Sequence, residues 1–390
     1  MRDSTLTVHH PAVAEDEFAS LCVATHRAST IVFENAEAYA TRGDRDLDSY
    51  SYGMHGTPTQ RVLEAQITAL EGGCKTVILP SGQAAVAVVF LSVLKPGDHV
   101  LIAETAYPPV NGLCRDFLST LGISWSTYPP GSGPEIERFA TASTRLIWME
   151  SPGSTTMEIE DVPAIVAYAR RRGILTGIDN TWATPLLFKP LAHGVDFSMQ
   201  ALTKYPGGHS DILMGSVSVS DPALRKGLRD IMRMLGFHTA PDAISLALRG
   251  LETMALRIAH CGRVAGEIAT EIAARYPVEV LSPILPDNPG HEIWKRDFAG
   301  ASGLFSVVLP EAWEERLAIA LDGLEIFAIG ASWGGTRSLI APMAISGHRT
   351  TPDPRNERII LRLSIGIEDP EDLRTDLRRF FERLARDETS

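Results

Sequence analysis

The sequence predicts an α/β fold in which a large, mostly parallel sheet covered by helices on both faces is followed by a smaller α+β unit. Three observations lead there. Short β-branched runs alternate with helical patterns from about residue 76 to 218, the rhythm of strands joined by crossover helices. The chain has 390 residues, more than one ordinary domain needs. A loop punctuated by Pro283, Pro286, Pro289 and Gly290 separates this rhythm from a differently patterned remainder.

Residues 1–58 are polar, turn-rich and weakly patterned, and they are expected to form an arm. Their one β-branched and aromatic stretch is Ser29 to Phe33, and His9-His10 is a terminal pair without evident meaning. A helix should follow, with Thr59 as its cap, Val62, Leu63, Ile67 and Leu70 at helical spacing, and a stop at Gly72-Gly73. The large unit is expected over 59–281. Its strands fall near Thr76–Leu79, His99–Ala103, Ile123–Thr127, Arg145–Met149, Ile174–Ile178, Phe197–Gln200 and Met214–Ser218. Helices should begin at Ser81-Gly82 and after Pro108-Pro109, and another should run from Asp161 (a cap with proline just inside) to Arg172. From 221 to 275 the pattern is helical, with stripes at Leu224, Leu228, Ile231, Leu235 and at Ile244, Leu248, Leu251, Ile258; such stripes are ordinarily core. The small unit, 282–390, should carry strands near Gly303–Leu309, Ile326–Ile329 and Ile359–Leu363, with helices over 311–321 and 370–386.

Composition narrows the function classes. A hydrophobic fraction of 44% and a charged fraction of 22% are those of a soluble globular chain. No apolar run is long enough to span a bilayer, and the first residues lack a signal-peptide core, so a cytoplasmic protein is expected. A net charge of −12 argues against nucleic-acid binding. The four cysteines, Cys22, Cys74, Cys114 and Cys261, show no metal or disulfide spacing.

The stretch Gly177 to Gly215 organises the chemistry. An apolar run ends on Asp179, and a second run leads to Thr203-Lys204-Tyr205, followed by Gly207-Gly208-His209. A carboxylate at one strand end and a lysine at the next suit a cofactor with an aldehyde and a pyridine nitrogen. The lysine can form a Schiff base while the aspartate keeps the ring nitrogen protonated. Asp179-Asn180-Thr181 could equally be an ordinary turn, since short motifs match freely. Pro80-Ser81-Gly82-Gln83-Ala84-Ala85 stands between a strand and a helix, where free N–H groups form an anion site. Tyr107 follows the strand ending at Ala103, and Glu150 follows another, at the edge where open α/β sheets bind ligands. Arg362, flanked by Leu361 and Leu363, sits on a strand suited to burial. It needs a partner, either a structural carboxylate or a ligand's.

In wording, these segments resemble the Cys/Met-metabolism (transsulfuration) family of pyridoxal phosphate (PLP) enzymes. Asp-Asn-Thr-Trp at 179–182, Thr-Lys-Tyr at 203–205 with Gly-His-Ser-Asp at 208–211, and Ser-Trp-Gly-Gly at 332–335 carry the resemblance. It runs from about Tyr52 to Asp369 and is strongest to the family's bacterial cystathionine β-lyases. The resemblance implies fold-type-I architecture, PLP as cofactor, a small sulfur amino acid as substrate, and a homotetramer of dimers that share active sites. By the same resemblance Lys204 is the Schiff-base lysine and catalytic base, and Asp179 holds the ring nitrogen. Tyr107 stacks on the ring and is the second catalytic residue, its hydroxyl near the substrate amine, and the N–H groups of Gly82 and Gln83 hold the phosphate with Thr203 also a cofactor contact. Tyr52 reaches a neighbouring subunit's phosphate, while Arg362, Ser332 and Trp333 hold the substrate.

The implied activity is carbon–sulfur β-elimination from cystathionine or a related cysteine S-conjugate, giving a thiol, pyruvate and ammonia. Family γ-enzymes, or a non-catalytic PLP-binding regulator on the same fold, are the alternatives. Three positions depart from the pattern. Met54 stands where relatives place an arginine that bonds the phosphate, a contact Arg42 or Arg45 could replace. Ala201 stands where many place a serine, and Ala331 where the β-lyases carry a tyrosine.

Overall fold

The computed structural model describes residues 20–347, 349 and 352–385. The first 19 residues of the expected arm, His9-His10 among them, lie outside the described residues, as does the last residue of the helix expected over 370–386. From residue 20 to 57 the chain forms single turns and one short helix, Ala36–Ala40, capped by the Asn35 side chain on the Ala38 N–H.

The longer helices are numbered in chain order. Helix α1, Pro58–Glu71, starts two residues earlier than its sequence suggests, because Thr57 takes the cap position and Pro58 the first turn. Thr59, expected as the cap, lies inside α1 and does other work. Its hydroxyl accepts from the His26 N–H and donates to the Ala24 carbonyl, both at 2.8 Å, pinning the preceding chain onto the helix. Gly72 ends α1 in the left-handed conformation that glycine adopts without steric cost.

Strands β1 (Lys75–Leu79), β2 (His99–Ala103), β3 (Ser124–Tyr128), β4 (Thr144–Glu150), β5 (Leu175–Asp179), β6 (Phe197–Gln200) and β7 (Gly215–Val219) form one sheet in the order β1-β7-β6-β5-β4-β2-β3. From β6 to β3 the pairings are parallel; β7 runs antiparallel to both β1 and β6. Helices α2 (Gly82–Val93), α3 (Val162–Arg172) and α4 (Pro222–Leu235) supply the crossovers and cover. On one face Val88, Val89 and Phe90 of α2 pack on Val100, Ile102 and Trp148. On the other, Ile165 and Val166 of α3 pack on Leu101, Ile147 and Ile178. Strand β2 is buried along its whole length, as a sheet covered on both sides requires. Asp161 caps α3 by accepting from the Ala164 N–H at 3.3 Å.

Helix α5, Pro241–Arg275, is 35 residues long and serves two cores. Its first half, with Ile244, Leu248 and Leu251, packs on Leu63 and Ile67 of α1, while Val264, Ile268 and Ile272 belong to the second sheet's core. That sheet has five strands in the order β10-β11-β12-β9-β8: β8 (Glu279–Leu281), β9 (Leu304–Val308), β10 (Ala328–Ile329), β11 (Leu339–Met343) and β12 (Ile360–Ser364). Helix α6, Pro370–Ala385, covers it through Leu373, Leu377, Phe380 and Phe381.

The second unit therefore draws on residues before 282, since β8 and half of α5 build it. Strand β11 was not expected because Pro342 interrupts its pattern. Strand β10 pairs only with Leu339 and Ile340, so Pro342 sits where β11 has lost one neighbour, and proline is tolerated there.

Candidate active site

The carboxyl ends of β4, β5 and β6 open onto one crevice. Asp179 ends β5, opposite Glu150 of β4 and Met199 of β6. Its Oδ1 accepts from the N–H of Thr181 at 2.9 Å and from the Thr181 hydroxyl, whose oxygen in turn accepts from the Ala201 N–H at 2.8 Å. One threonine thus ties the aspartate to the start of the lysine turn. Burial pushes the Asp179 carboxyl up, against the Thr181 hydrogen bonds and the Lys204 charge, which favour ionisation. Glu150 is pushed well above the carboxylate range, by burial first and then by Asp179 beside it.

Lys204 lies in the turn after β6. Its N–H bonds the Ala201 carbonyl at 3.0 Å, and its carbonyl accepts from Gly208 at 2.7 Å. The ammonium nitrogen donates to the Ser332 hydroxyl oxygen at 2.8 Å and stands 5.3 Å from the centre of the Trp333 ring. Burial, with the Arg362 charge second, lowers this lysine to about 8. The small residues around it follow from close approach. A Cβ on Gly334 (φ +80°) would stand 3.2 Å from the Lys204 Cα and 3.0 Å from the Tyr205 nitrogen.

Arg362 comes from β12 and is buried. Its guanidinium donates to the Ser154 carbonyl at 3.1 Å and to the Ala331 carbonyl, and among the described residues no carboxylate lies within ion-pairing distance. The alternative of a structural ion pair is therefore not what the fold builds. Desolvation lowers its pKa, with Glu150 the main opposing charge.

The first turn of α2 is the candidate anion site. Ser81 caps it by accepting from Ala84 at 3.1 Å, and a Cβ on Gly82 would stand 2.9 Å from the Ala201 Cβ. Gly82 is thus demanded by the fold as well as by any ligand. The Gln83 Nε2 donates to the Pro109 carbonyl at 3.0 Å. Tyr107 caps the helix Pro108–Gly112, its N–H on Glu150 Oε2 at 2.6 Å, and the residue is 46% exposed. The Thr203 hydroxyl exchanges hydrogen bonds with the Met214 backbone at 3.0 and 3.2 Å, bracing the lysine turn.

Tyr52 is not brought to the crevice within this chain. It sits beside His55, ring centres 6.3 Å apart, in the segment ahead of α1. Met54 shares a surface cleft there with Arg42, Arg45, Arg229 and Arg233. Sequence reasoning missed Thr181, although an Asp-x-Thr spacing is the signal of a side chain bonding its own backbone two residues on.

The donor set suits PLP. Lys204 offers an amine of lowered basicity, Asp179 a carboxylate at a strand end, α2 a glycine-opened N-terminus, and Arg362 a fork without an ion-paired carboxylate among the described residues. Among the described residues no helix is long and apolar enough to cross a membrane.

Comparison with known proteins agrees with this donor set. The family model described as "Cys/Met metabolism PLP-dependent enzyme" matches residues 4–382. A cystathionine beta-lyase of Escherichia coli is 40% identical over 92% of this chain and 93% of its own length. One from Salmonella typhimurium is 38% identical over the same shares. A cystathionine gamma synthase of Xanthomonas oryzae pv. oryzae, solved with cystathionine, superposes with a TM-score of 0.86 at 30% identity, over 95% of both chains. The chain belongs to the Cys/Met metabolism PLP-dependent enzymes.

Proposed function

We propose that the protein is a carbon–sulfur β-lyase acting on cystathionine or a related cysteine S-conjugate, releasing a thiol, pyruvate and ammonia. One observation carries the reading. The segment Ala331-Ser332-Trp333 binds Arg362 through the Ala331 carbonyl and Lys204 through the Ser332 hydroxyl, setting a carboxylate clamp and a base side by side. The beta-lyase names of the two relatives support it.

PLP bound here supplies an electron sink for the pair left at the substrate Cα after proton removal. Gly82 and Gln83 would hold its phosphate with their N–H groups, Lys204 its aldehyde carbon, Asp179 its ring nitrogen and Tyr107 its ring face. Arg362 takes the substrate carboxylate in a planar fork, which turns the Cα–H toward Lys204. Lys204, neutral over an accessible pH range because burial and Arg362 disfavour its charge, removes that proton. As a carboxylate, the form that the Thr181 hydrogen bonds and the Lys204 charge favour against burial, Asp179 would hold a proton on the ring nitrogen. Loss of the β-thiolate and hydrolysis then give the products.

The test is a keto-acid assay with cystathionine on purified protein. Pyruvate, with a visible absorption band lost in Lys204→Ala, supports the reading, whereas 2-oxobutyrate would move the protein to the γ-enzymes. The fold match to the Xanthomonas synthase favours that second reading. Protein that carries the band but releases no keto acid would be a non-catalytic PLP binder. For the assembly, we propose a cytoplasmic homotetramer of dimers in which Tyr52 serves the neighbour's site; light scattering that finds a monomer would remove that role.

A further inference from the structure

The Gln83 side chain joins two parts of the site that the strands alone leave separate. Gln83 is the second residue of α2, in the turn whose N–H groups face the phosphate position. Its amide nitrogen reaches the Pro109 carbonyl at 3.0 Å, in the helical turn that Tyr107 caps. Tyr107 itself is poorly fixed by packing, because the residue is 46% exposed. Besides the turn's own bonds, Val110 N–H to the Tyr107 carbonyl at 2.9 Å and Leu113 N–H to the Pro109 carbonyl, two side chains hold this segment. Glu150 Oε2 takes its N–H at 2.6 Å, and two residues on Gln83 takes the Pro109 carbonyl. The Gln83 Oε1 is buried with no hydrogen-bond partner among the described protein atoms. A buried, unsatisfied acceptor is costly, and a leucine of similar size would avoid it. Its donor end therefore accounts for the amide.

We propose that the Gln83 side chain is a positioning residue that couples the phosphate turn to Tyr107, so that the tyrosine ring is set at the cofactor by the turn that binds its phosphate. Glu150 supplies the second point of the mount. The inference rests on the assignment of Tyr107 to the cofactor ring.

The experiment is a double-mutant cycle on apoprotein, with PLP as the probe. Wild type, Gln83→Leu, Tyr107→Ala and the double variant are titrated with PLP, and the dissociation constant and the circular dichroism of the visible band are recorded. Gln83→Leu should weaken PLP about threefold to tenfold, as the loss of one partly exposed hydrogen bond allows, and should change the dichroism. In the Tyr107→Ala background the same substitution should change neither by more than about twofold, because contacting or coupled residues are not additive. Gln83→Glu, which faces the Pro109 carbonyl with an acceptor, should be at least as weak as Gln83→Leu. Additive effects, or wild-type affinity and dichroism in Gln83→Leu, would overturn the proposal while leaving the Tyr107 assignment standing. Unchanged affinity and dichroism in Tyr107→Ala would overturn both.

Discussion

The Lys204 ammonium nitrogen and the Ser332 hydroxyl oxygen stand 2.8 Å apart, across 128 residues of sequence, joining the large sheet's lysine turn to a loop of the second unit. The serine accepts, so it favours the charged lysine, while burial and Arg362 oppose it and hold the group at about 8.

Only a neutral amine adds to an aldehyde. PLP uptake by apoprotein should therefore rise about tenfold per pH unit below 8 and level off above it. Ser332→Ala removes an acceptor from the ammonium and should move the midpoint down. Arg362→Ala removes a neighbouring positive charge and should move it up. Stopped-flow absorbance across pH 6 to 10 reads all three, and a midpoint near an ordinary lysine's, ~10.4, would contradict the buried environment.

Arg362 donates to two carbonyls and has no acidic partner among the described residues, which leaves its fork available for a carboxylate. Arg362→Lys keeps the charge but loses the bidentate geometry. The KM for an amino acid substrate should rise about 10- to 100-fold, the worth of one charge-assisted hydrogen bond, with a smaller change in kcat. An unchanged KM would assign the arginine to structure.

Much of this was legible in the sequence because strand-end residues are fixed by pattern. Asp179 and Glu150 each end an apolar run and pair at one edge, and Lys204 follows a third run, Phe197–Gln200, whose Met199 pairs with Asp179. What was not legible depended on register and side-chain reach. Nothing in the sequence around Thr203 announces that its hydroxyl pairs with the Met214 backbone eleven residues on. Thr59 resembles a cap until Pro58 shifts the helix start. Strand β8 has only three residues, too few for a period-2 pattern to emerge.

Gly82 is a test of the anion turn. A Cβ there would stand 2.9 Å from the Ala201 Cβ and 3.5 Å from its Cα, atoms fixed to the backbone that cannot swing aside. Gly82→Ala should push the α2 turn away from the end of β6 and weaken PLP about tenfold or more, with far-ultraviolet dichroism retained; one lost phosphate contact is worth at least that. Wild-type affinity in this variant would place the phosphate elsewhere.

Met54 lies among Arg42, Arg45, Arg229 and Arg233. A fifth cation in this cleft meets like charges, so Met54→Arg should leave PLP affinity within about twofold. Clearly tighter binding would show that the missing arginine had not been replaced.

Glu160 offers a stability test away from the crevice. Both of its carboxylate oxygens are buried without a hydrogen-bond partner, and burial, followed by the Glu158 charge, raises it to about 8 from an ordinary 4.5. Its folded pKa lies above its unfolded one, so the folded chain holds a proton that the unfolded chain has lost. The resulting stability is fully present below about pH 4.5 and is lost as pH rises through about 8. Glu160→Gln is neutral at every pH and cannot lose it. Between pH 5 and pH 8.5, wild type should lose more unfolding free energy than Glu160→Gln, by on the order of a few kcal/mol. Urea denaturation of both proteins across that window reads the difference directly. Parallel pH profiles would mean that Glu160 is ionised in the folded protein and that its charge is compensated, with Arg349, whose charge lowers its pKa, as the group to substitute next.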